Sequence, residues 1–168
     1  GHIFAGTRFG GVFRSEDNGN SWTQVNTGLT NLVVYGLAVN QSGHIFAGTD
    51  AGVYRSTDNG NSWSQVETET FFDNQLAINA SGHIFVATYG GGVYRSTDNG
   101  NSWTKINTGL TNLGAGPLGI NQNGHIFVGA WRGGVYRSTD NGNSWTQVNT
   151  GLTSLAVSAL AIAPSGHI

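Results

Sequence analysis

The chain has 168 residues, a formal net charge of -2 and charged side chains at only 10% of its positions. This balance argues against a surface for nucleic acid or anionic membranes, because either surface needs clustered Lys and Arg. The chain contains no cysteine, which excludes disulfide and thiol chemistry. No apolar run approaches the roughly 20 residues of a membrane-spanning helix, so we expect neither nucleic-acid nor membrane partners.

A repeat of about 40 residues organises the chain. Gly-His-Ile-Phe begins at residues 1, 43, 82 and 124, and Gly-His-Ile recurs at 166. A period of this length is typical of propellers and other repeat architectures. We therefore interpret residues 1–168 as a single propeller unit with repeats 1–42, 43–81, 82–123 and 124–165, followed by the terminal residues 166–168.

Each repeat predicts four short strands, which we label A to D. In the second repeat they cover 36–40, 44–49, 53–56 and 63–66, with Val, Ile, Phe, Tyr and Trp inside and Asn, Asp, Gly and Ser between. Apolar residues never recur at helical spacing over ten or more positions. The sequence therefore predicts an all-β chain, a β-propeller with four blades of four antiparallel strands each.

The repeat begins at strand B (2–7) and reaches a last strand A at 156–163. We expect this C-terminal strand to complete the N-terminal blade, either in its own chain or in a second chain. A ring of four blades turns 90° at each blade, and small residues such as Gly36, Ala38, Gly119 and Ala161 are poorly suited to such wide wedges. We therefore favour a homodimer that forms an eight-bladed ring, with a self-closed four-bladed monomer and part of a larger propeller as alternatives.

The turn between strands C and D has one pattern in all four repeats, Ser-x-Asp-x-Gly-x-Ser-Trp. A short Asp side chain can accept hydrogen bonds from turn amides, Gly can adopt a positive φ, and Trp can bury a large area that fastens the hairpin to its blade. The pattern lacks the alternating oxygen ligands of a calcium loop. We interpret these residues as structural: Ser15, Asp17, Gly19, Trp22, Ser56, Asp58, Gly60, Trp63, Ser96, Asp98, Gly100, Trp103, Ser138, Asp140, Gly142 and Trp145.

This pattern resembles the Asp-box (BNR repeat) of a group of β-propellers. The group includes the propellers of sialidases, sortilin-type receptors, xyloglucanases and photosystem II assembly factors, and the resemblance covers essentially the whole chain. It implies that the boxes stabilise turns and lie away from catalytic sites. Because bacterial propellers of this group are often exported, it also favours a bacterial protein located outside the cell or in the periplasm.

The five histidines and four of the arginines also repeat. Equivalent atoms on packed sheets lie about 10 Å apart, whereas zinc ligands lie about 2.0–2.1 Å from the metal. We therefore expect no metal site and no cofactor. Arg14, Arg55, Arg95 and Arg137 directly precede the Ser of each box, and we expect them to brace a neighbouring backbone or a box carboxylate.

The residues that differ between repeats are the candidates for a site. They fall in the B–C loop and the D–A connection, which emerge at the same end of each blade. Exposed aromatic rings flanked by arginine can bind sugar faces, anionic groups or a protein partner, although drift in exposed loops is the alternative. We expect the first and fourth loops to gather across the seam of the ring. The candidate ligand-binding residues are Arg8, Phe9, Asp50, Tyr89, Trp131 and Arg132.

The sequence favours a non-catalytic binding module or scaffold with a carbohydrate or protein ligand, and we assign no catalytic residue. A sialidase-like or xyloglucanase-like glycoside hydrolase, or a fragment of one, is the first alternative. One chain cannot supply the arginine triad that the sialidase resemblance implies, because only Arg8 and Arg132 lie outside the repeat, whereas a dimer would bring four such arginines to one face. A hydrolytic carboxylate pair could be drawn only from Asp50 with Glu67, Glu69 or Asp73. A purely structural repeat protein, amplified or engineered, is the second alternative.

Overall fold

The computed structural model describes residues 1–68, 72–163 and 168. These residues form β-strands and turns, and none of them belongs to a helix long and apolar enough to cross a membrane. The chain divides into two compact units, Gly1–Leu76 and Ala77–Ile168.

The first unit contains two antiparallel sheets. The first sheet has three strands in the order β1-β2-β3, and the second has four in the order β4-β5-β6-β7. The strands are β1 (Ile3–Thr7), β2 (Gly11–Ser15), β3 (Thr23–Gln24), β4 (Val34–Val39), β5 (Ile45–Thr49), β6 (Gly52–Ser56) and β7 (Ser64–Glu67).

The third and fourth sheets also have four antiparallel strands each, in the orders β11-β10-β9-β8 and β12-β13-β14-β15. The strands are β8 (Phe72–Ile78), β9 (Ile84–Tyr89), β10 (Gly92–Ser96), β11 (Thr104–Lys105), β12 (Ala115–Ile120), β13 (Ile126–Ala130), β14 (Gly134–Ser138) and β15 (Thr146–Gln147). These antiparallel sheets confirm the predicted all-β fold.

The B and C strands carry most of the core of each unit. All five residues of β5 and of β13 are buried. Ile45, Tyr54 and Trp63 belong to the apolar core of the first unit. Phe85, Ile126 and Trp145 belong to that of the second unit.

The outermost strands are shorter than predicted, and an asparagine side chain explains the difference. In the first sheet the Val12 amide donates to the Asn26 carboxamide oxygen at 2.7 Å. This side-chain bond replaces the backbone bond that would continue the ladder between β2 and β3. Asn107 and Asn149 do the same in the third and fourth sheets. The second repeat has Glu67 at this position, and there β7 extends over four residues and pairs Glu67 with Val53.

The predicted strand at 156–163 is not observed as a strand, and the first sheet has three strands. A strand requires a hydrogen-bonded neighbour, and this segment has no ladder partner among the described residues. It instead lies against the fourth sheet, with Val157 on Gly129 and Ile162 on Gly119. The completion of the first blade by this segment stays a prediction. Residues 166 and 167 of the predicted terminal segment lie outside the described residues.

Candidate functional site

The turns between the C and D strands, which we call the Ser-x-Asp turns, satisfy their own polar groups. In the first turn the Ser15 hydroxyl donates to Asp17 Oδ1 at 2.8 Å, and the Ser21 amide and hydroxyl donate to the two carboxylate oxygens at 2.9 and 2.6 Å. The Gly19 amide, on a residue with φ of 91°, donates to Ser15 Oγ. The same bonds recur around Asp58, Asp98 and Asp140.

These hydrogen bonds stabilise the ionised carboxylates. The bond from the Ser21 hydroxyl is the largest cause that lowers the pKa of Asp17 from 3.8 to about 2, followed by the Ser21 amide and the Ser15 hydroxyl. The pKa values of Asp58, Asp98 and Asp140 are lowered to about 2 by the equivalent groups. A carboxylate with so low a pKa is a poor proton acceptor near neutral pH, so these residues are unsuited to general base catalysis.

The tryptophans differ from one another, which the sequence did not predict. Trp63 and Trp145 are buried, and their indole nitrogens donate to the Val25 and Ile106 carbonyls of the preceding sheet at 2.8 and 2.6 Å. They therefore fasten one blade to the next, whereas we expected each to fasten its own hairpin. Trp103 is partly buried and donates to Gly100 in its own turn, and Trp22 is 43% exposed.

Two of the repeated arginines brace a neighbouring backbone, as predicted. Arg14 donates to the Asn59 carbonyl and to Asn61 Oδ1, both at 2.8 Å. Arg95 donates to the Asn141 carbonyl at 2.6 Å. Within the described part of the chain, no group of three His, Cys, Asp or Glu side chains could hold a metal ion.

A cleft of about 550 Å³ opens at the B–C end of the second unit. Three segments form it: the β9–β10 turn, the β13–β14 turn and the connection at 112–114 that leads into β12. We call it the aromatic cleft, and it is lined by Tyr89, Gly90, Asn112, Leu113, Gly114, Trp131 and Arg132.

Backbone hydrogen bonds fix the walls of the aromatic cleft. Gly114 forms a β-bridge with Tyr89, and its carbonyl accepts from the Trp131 amide at 2.9 Å. The Gly90 amide donates to the Leu113 carbonyl at 2.8 Å. Asn112 joins the connection to the second turn, because its side chain donates to the Trp131 carbonyl at 3.0 Å and accepts from the Gly114 amide at 2.9 Å.

The side chains at the mouth, in contrast, are open to solvent. Tyr89 and Trp131 are each 49% exposed. In the described part of the chain, neither the Tyr89 hydroxyl, the Trp131 indole nitrogen nor the Arg132 guanidinium has a hydrogen-bond or ion-pair partner. Arg132 has a φ of 63°, in the left-handed region that favours glycine, and Gly90 holds the corresponding place in the third repeat with a φ of 106°. Left-handed backbone at a residue other than Gly, Asn or Asp is concentrated at functional sites, so Arg132 stays a candidate for ligand contact.

A different, polar cluster occupies the same end of the first unit. A bulge between Val34 and Gly36 displaces Tyr35, whose hydroxyl hydrogen-bonds to Asp50. Burial is the largest cause that raises the pKa of Tyr35, followed by the hydrogen bond and the charge of Asp50, while the nearby Arg8 opposes the shift. Asp50 Oδ1 is buried and has no hydrogen-bond partner within the described residues. The acidic side chain of Asp50 thus acts on a tyrosine that the sequence analysis had not placed in the candidate site.

The predicted candidate residues therefore fall into different clusters of the structure. Tyr89, Trp131 and Arg132 meet in the aromatic cleft, and Arg8 and Asp50 belong to the polar cluster of the first unit. Phe9 is 83% exposed on the β1–β2 turn. The expected gathering of Arg8 and Phe9 with the fourth loop stays a prediction, and Glu69 lies outside the described residues.

Sequence reasoning found the run 114–116 among the residues that differ between repeats, but its candidate site did not include Gly114, Asn112 or Leu113. Asn112 recurs as Asn31, whose side chain accepts from the Val33 amide at 2.9 Å. The repeated local bond hides the second contact that Asn112 makes to Trp131. The glycine at 114 was the available signal, because a residue without a side chain leaves room beside an aromatic ring.

The antiparallel sheets and their inter-blade contacts define the class of protein as a β-propeller. More particularly, residues 4–116 match the DUF6242 beta propeller domain, and the chain belongs to this family. No curated protein matches the chain.

Solved propellers with different roles are similar in structure. An ancestral GH74 enzyme is 26% identical with a TM-score of 0.72, over 88% of this chain and 22% of that enzyme. An extracellular domain from B. thetaiotaomicron is 14% identical with a TM-score of 0.80, over 98% of this chain and 24% of the other. YCF48 bound to D1 peptide is 18% identical with a TM-score of 0.64, over 92% of this chain and 50% of the other. The chain thus spans about a fifth to a half of the proteins it resembles.

Proposed function

We propose that the chain is a non-catalytic Asp-box propeller domain that binds a saccharide in the aromatic cleft. The observation that carries this proposal is the pair of half-exposed rings of Tyr89 and Trp131, held on a hydrogen-bonded backbone beside an unpaired arginine. The repeated residues build the blades, and the residues that depart from the repeat provide the ligand contacts.

The chemistry of the cleft suits a sugar. The apolar faces of a pyranose ring can pack on the Tyr89 and Trp131 rings, and the hydroxyl groups can accept hydrogen bonds from the Trp131 indole and the Arg132 guanidinium. Gly114 forms the floor beside both residues, since a Cβ there would approach the Tyr89 ring to 3.4 Å and the Trp131 Cβ to 3.6 Å. The cleft volume of about 550 Å³ is within the range of about 300–1,000 Å³ for small-molecule sites.

The lining of the cleft argues against a glycoside hydrolase. Such enzymes usually place two carboxylates on either side of the scissile bond, and none of the described residues that line the cleft is Asp or Glu. The four Asp-box carboxylates are held ionised by their own turns. Asp50 interacts with Tyr35 in the other unit. The similarity to the ancestral GH74 enzyme covers 22% of that enzyme, so it supports a shared blade structure. Glycoside hydrolase activity of this chain has to be tested directly.

The proposed location is outside the cell or in the periplasm of a bacterium. The similarity to an extracellular domain from B. thetaiotaomicron supports this location, as does the resemblance to exported Asp-box propellers. Soluble or surface glycans would be the accessible ligands there.

A glycan array followed by calorimetric titration tests the proposal. The wild-type chain should bind a defined set of glycans, and Trp131→Ala should reduce the affinity at least tenfold, as expected for an aromatic anchor. Phe9→Ala is the matched control, because it removes another exposed ring from the equivalent turn of the first unit. It should leave the affinity unchanged.

Three results would contradict the proposal. The first is an array with no bound glycan, and the second is an unchanged affinity in Trp131→Ala. The third is release of reducing sugar from a bound polysaccharide, which would restore the hydrolase alternative. Capture of a peptide ligand that depends on Trp131 would keep the cleft as a site but replace its ligand class.

A further inference from the structure

A repeated contact joins each sheet to the next inside both units, and we call it the inter-blade joint. In the first unit the Trp63 indole and amide donate to the Val25 and Thr27 carbonyls of the preceding sheet at 2.8 and 2.9 Å. In the second unit Trp145 donates in the same way to Ile106 and Thr108 at 2.6 and 2.9 Å. The joint is thus defined by a tryptophan half and a carbonyl half.

Three further contacts recur in both joints. An arginine from the preceding sheet donates to the turn backbone before the tryptophan, as Arg14 does to Asn59 and Arg95 does to Asn141. A glycine of the preceding sheet lies so close to the tryptophan carbonyl that a Cβ would clash, at Gly28 in one joint and Gly109 in the other. A tyrosine hydroxyl also meets a threonine hydroxyl of the preceding sheet, in the pairs Tyr54–Thr30 and Tyr136–Thr111.

The first sheet has a tryptophan half on which no carbonyl half packs within the described residues. Trp22 is 43% exposed, whereas Trp63 and Trp145 are each 4% exposed. Its indole nitrogen has no hydrogen-bond partner within 1–68, 72–163 or 168. A Cβ on Gly19 would meet only Trp22 itself within 4 Å, whereas the equivalent Gly60 lies against Phe4 and Val25 of the preceding sheet.

The fourth sheet presents a carbonyl half that is equally open. Arg137 is exposed, and of the described residues none offers it a hydrogen bond or an ion pair. Gly151 has a φ of 90° like Gly28, but no atom lies within 4 Å of its Cβ position. Leu152 is 45% exposed, whereas the equivalent Leu110 is 5% exposed.

The segment at 156–163 extends this open half. Val157 lies against Gly129 of the fourth sheet just as Val34, the start of β4, lies against Gly6 of the first sheet. The segment therefore occupies the place of a following strand A. Strand β1, which pairs only with β2, has a free edge in the described structure.

From these two open and complementary halves we infer that the first sheet of one copy docks on the fourth sheet of a second copy through the inter-blade joint. The Trp22 indole then donates to the partner's Val148 carbonyl, and the partner's Arg137 donates to the Asn18 carbonyl. The partner's segment at 156–163 pairs with β1 in the register that β4 keeps with β5, which places Val157 opposite Thr7, Leu160 opposite Ala5 and Ile162 opposite Ile3. In this dimer the first sheet of the second copy docks in the same way on the fourth sheet of the first copy, so the joint forms twice and no half stays open.

One bond of the internal joints is missing from this contact. The first sheet has Phe13 where the others have Tyr54 and Tyr136, so Phe13 offers no hydroxyl to the partner's Thr153. This difference provides a gain-of-function test. Phe13→Tyr should strengthen the association of the two copies by about tenfold to a hundredfold, because the dimer contains the joint twice and each joint gains one hydrogen bond worth about threefold to tenfold.

Light scattering on the 168-residue chain gives the primary test. The inference predicts about twice the chain mass of 17.6 kDa. Trp22→Ala and Arg137→Ala should each shift the mass toward 17.6 kDa at low protein concentration, and both side chains are exposed, so both variants should fold. Trp131→Ala is the matched control, because it removes an exposed tryptophan that lies outside the joint, and it should leave the mass doubled.

Cysteine crosslinking tests the register between β1 and the partner's segment at 156–163, because the unsubstituted chain has no cysteine. One preparation carries Ala5→Cys and the other Leu160→Cys, and the two are mixed under oxidising conditions. Directly opposite residues of an antiparallel pair lie within reach of a disulfide, so the mixture should form a crosslinked dimer on a non-reducing gel. Phe4→Cys in place of Ala5→Cys should form much less, because adjacent strand residues point to opposite faces.

A mass of 17.6 kDa for the unsubstituted chain would overturn the inference. Absence of a crosslink in the mixture of Ala5→Cys and Leu160→Cys would overturn it as well. A double variant with both cysteines that crosslinks only within single chains would also overturn it, in favour of self-closure. These readouts do not involve the aromatic cleft, so their failure would leave the proposed saccharide binding standing.

Discussion

The Ser-x-Asp turns and the aromatic cleft lie at opposite ends of the same blades, and they differ in how their polar groups are satisfied. Each turn carboxylate accepts three hydrogen bonds from serines of its own turn, and the pattern is identical in four copies. At the cleft the backbone is bonded but Tyr89, Trp131 and Arg132 have free polar groups in the described structure. A turn whose polar groups bond to one another stabilises a fold, whereas solvent-exposed groups on a rigid backbone are available to a ligand.

The two units sharpen this comparison at the B–C end. In the first unit the end is polar and partly self-satisfied, because Tyr35 hydrogen-bonds to Asp50. In the second unit the end is aromatic and open. The blades are nearly the same, so the difference arises from a few loop residues and from the bulge that displaces Tyr35.

The largest expected effect is a loss of folding stability at the end of the blades that carries the Ser-x-Asp turns. Trp145→Ala removes a buried indole and its bond to Ile106, and should lower the free energy of unfolding by about 3–5 kcal/mol. Trp22→Ala at the same repeat position should have a much smaller effect at protein concentrations low enough to keep the chain monomeric, since Trp22 is 43% exposed in the single chain. Denaturant unfolding of the two variants measures the difference, and equal losses would contradict the contrast.

The next effect concerns the cleft. Gly114→Val places a branched side chain in the cleft beside the Tyr89 ring, where a Cβ already approaches Asn112 to 3.1 Å. Saccharide affinity should fall at least tenfold, because the space for the sugar ring is filled. Titration calorimetry measures the affinity and thermal unfolding serves as the control. A variant that binds normally would show that the ligand does not enter between Tyr89 and Trp131.

Acid should affect the turns before it affects the cleft. The folded pKa of about 2 for Asp98 lies below its ordinary value of 3.8, so the stabilisation is present above about pH 4 and is lost as the pH falls toward 2. We expect the melting temperature to fall by a few degrees over this range. Asp98→Asn should show a smaller fall over the same pH range, and an unchanged pH dependence in this variant would contradict the assignment.

The smallest effect on stability is expected at Arg132. Arg132→Gly relieves a left-handed backbone and should change the free energy of unfolding by less than about 1 kcal/mol. The variant should lose more affinity for acidic glycans than for neutral ones, because neutral glycans lose a hydrogen bond from the guanidinium whereas acidic glycans also lose its charge. Parallel titrations with one glycan of each class measure this, and an equal loss for both would assign Arg132 to a general polar contact.

Much of the fold could be predicted because the repeat and its turn chemistry act locally. Strands, turns and the glycine conformations of the Ser-x-Asp turns depend on residues within one hairpin, and four copies report the same pattern. The short outer strands could not be predicted, since Asn26 replaces a ladder bond with a side chain 14 residues away. The strand expected at 156–163 requires a neighbour, which no local pattern supplies.

The candidate site was predictable only where it departs from the repeat. Tyr89, Trp131 and Arg132 stand out because the other repeats have different residues there. Asn112 was not found because the repeat conserves its local role, and its bond to Trp131 depends on the fold. Tyr35 was not placed beside Asp50 because a bulge changes where its side chain lies.

An NMR titration of the indole N–H signals tests the central claim most directly. The chain has five tryptophans and therefore five such signals, and the signal missing in Trp131→Ala identifies the cleft. With a glycan selected from the array, the account predicts that the Trp131 signal shifts while those of Trp63 and Trp145 stay in place. Shifts confined to the other tryptophans, or no shift at saturating glycan, would contradict a saccharide site in the aromatic cleft.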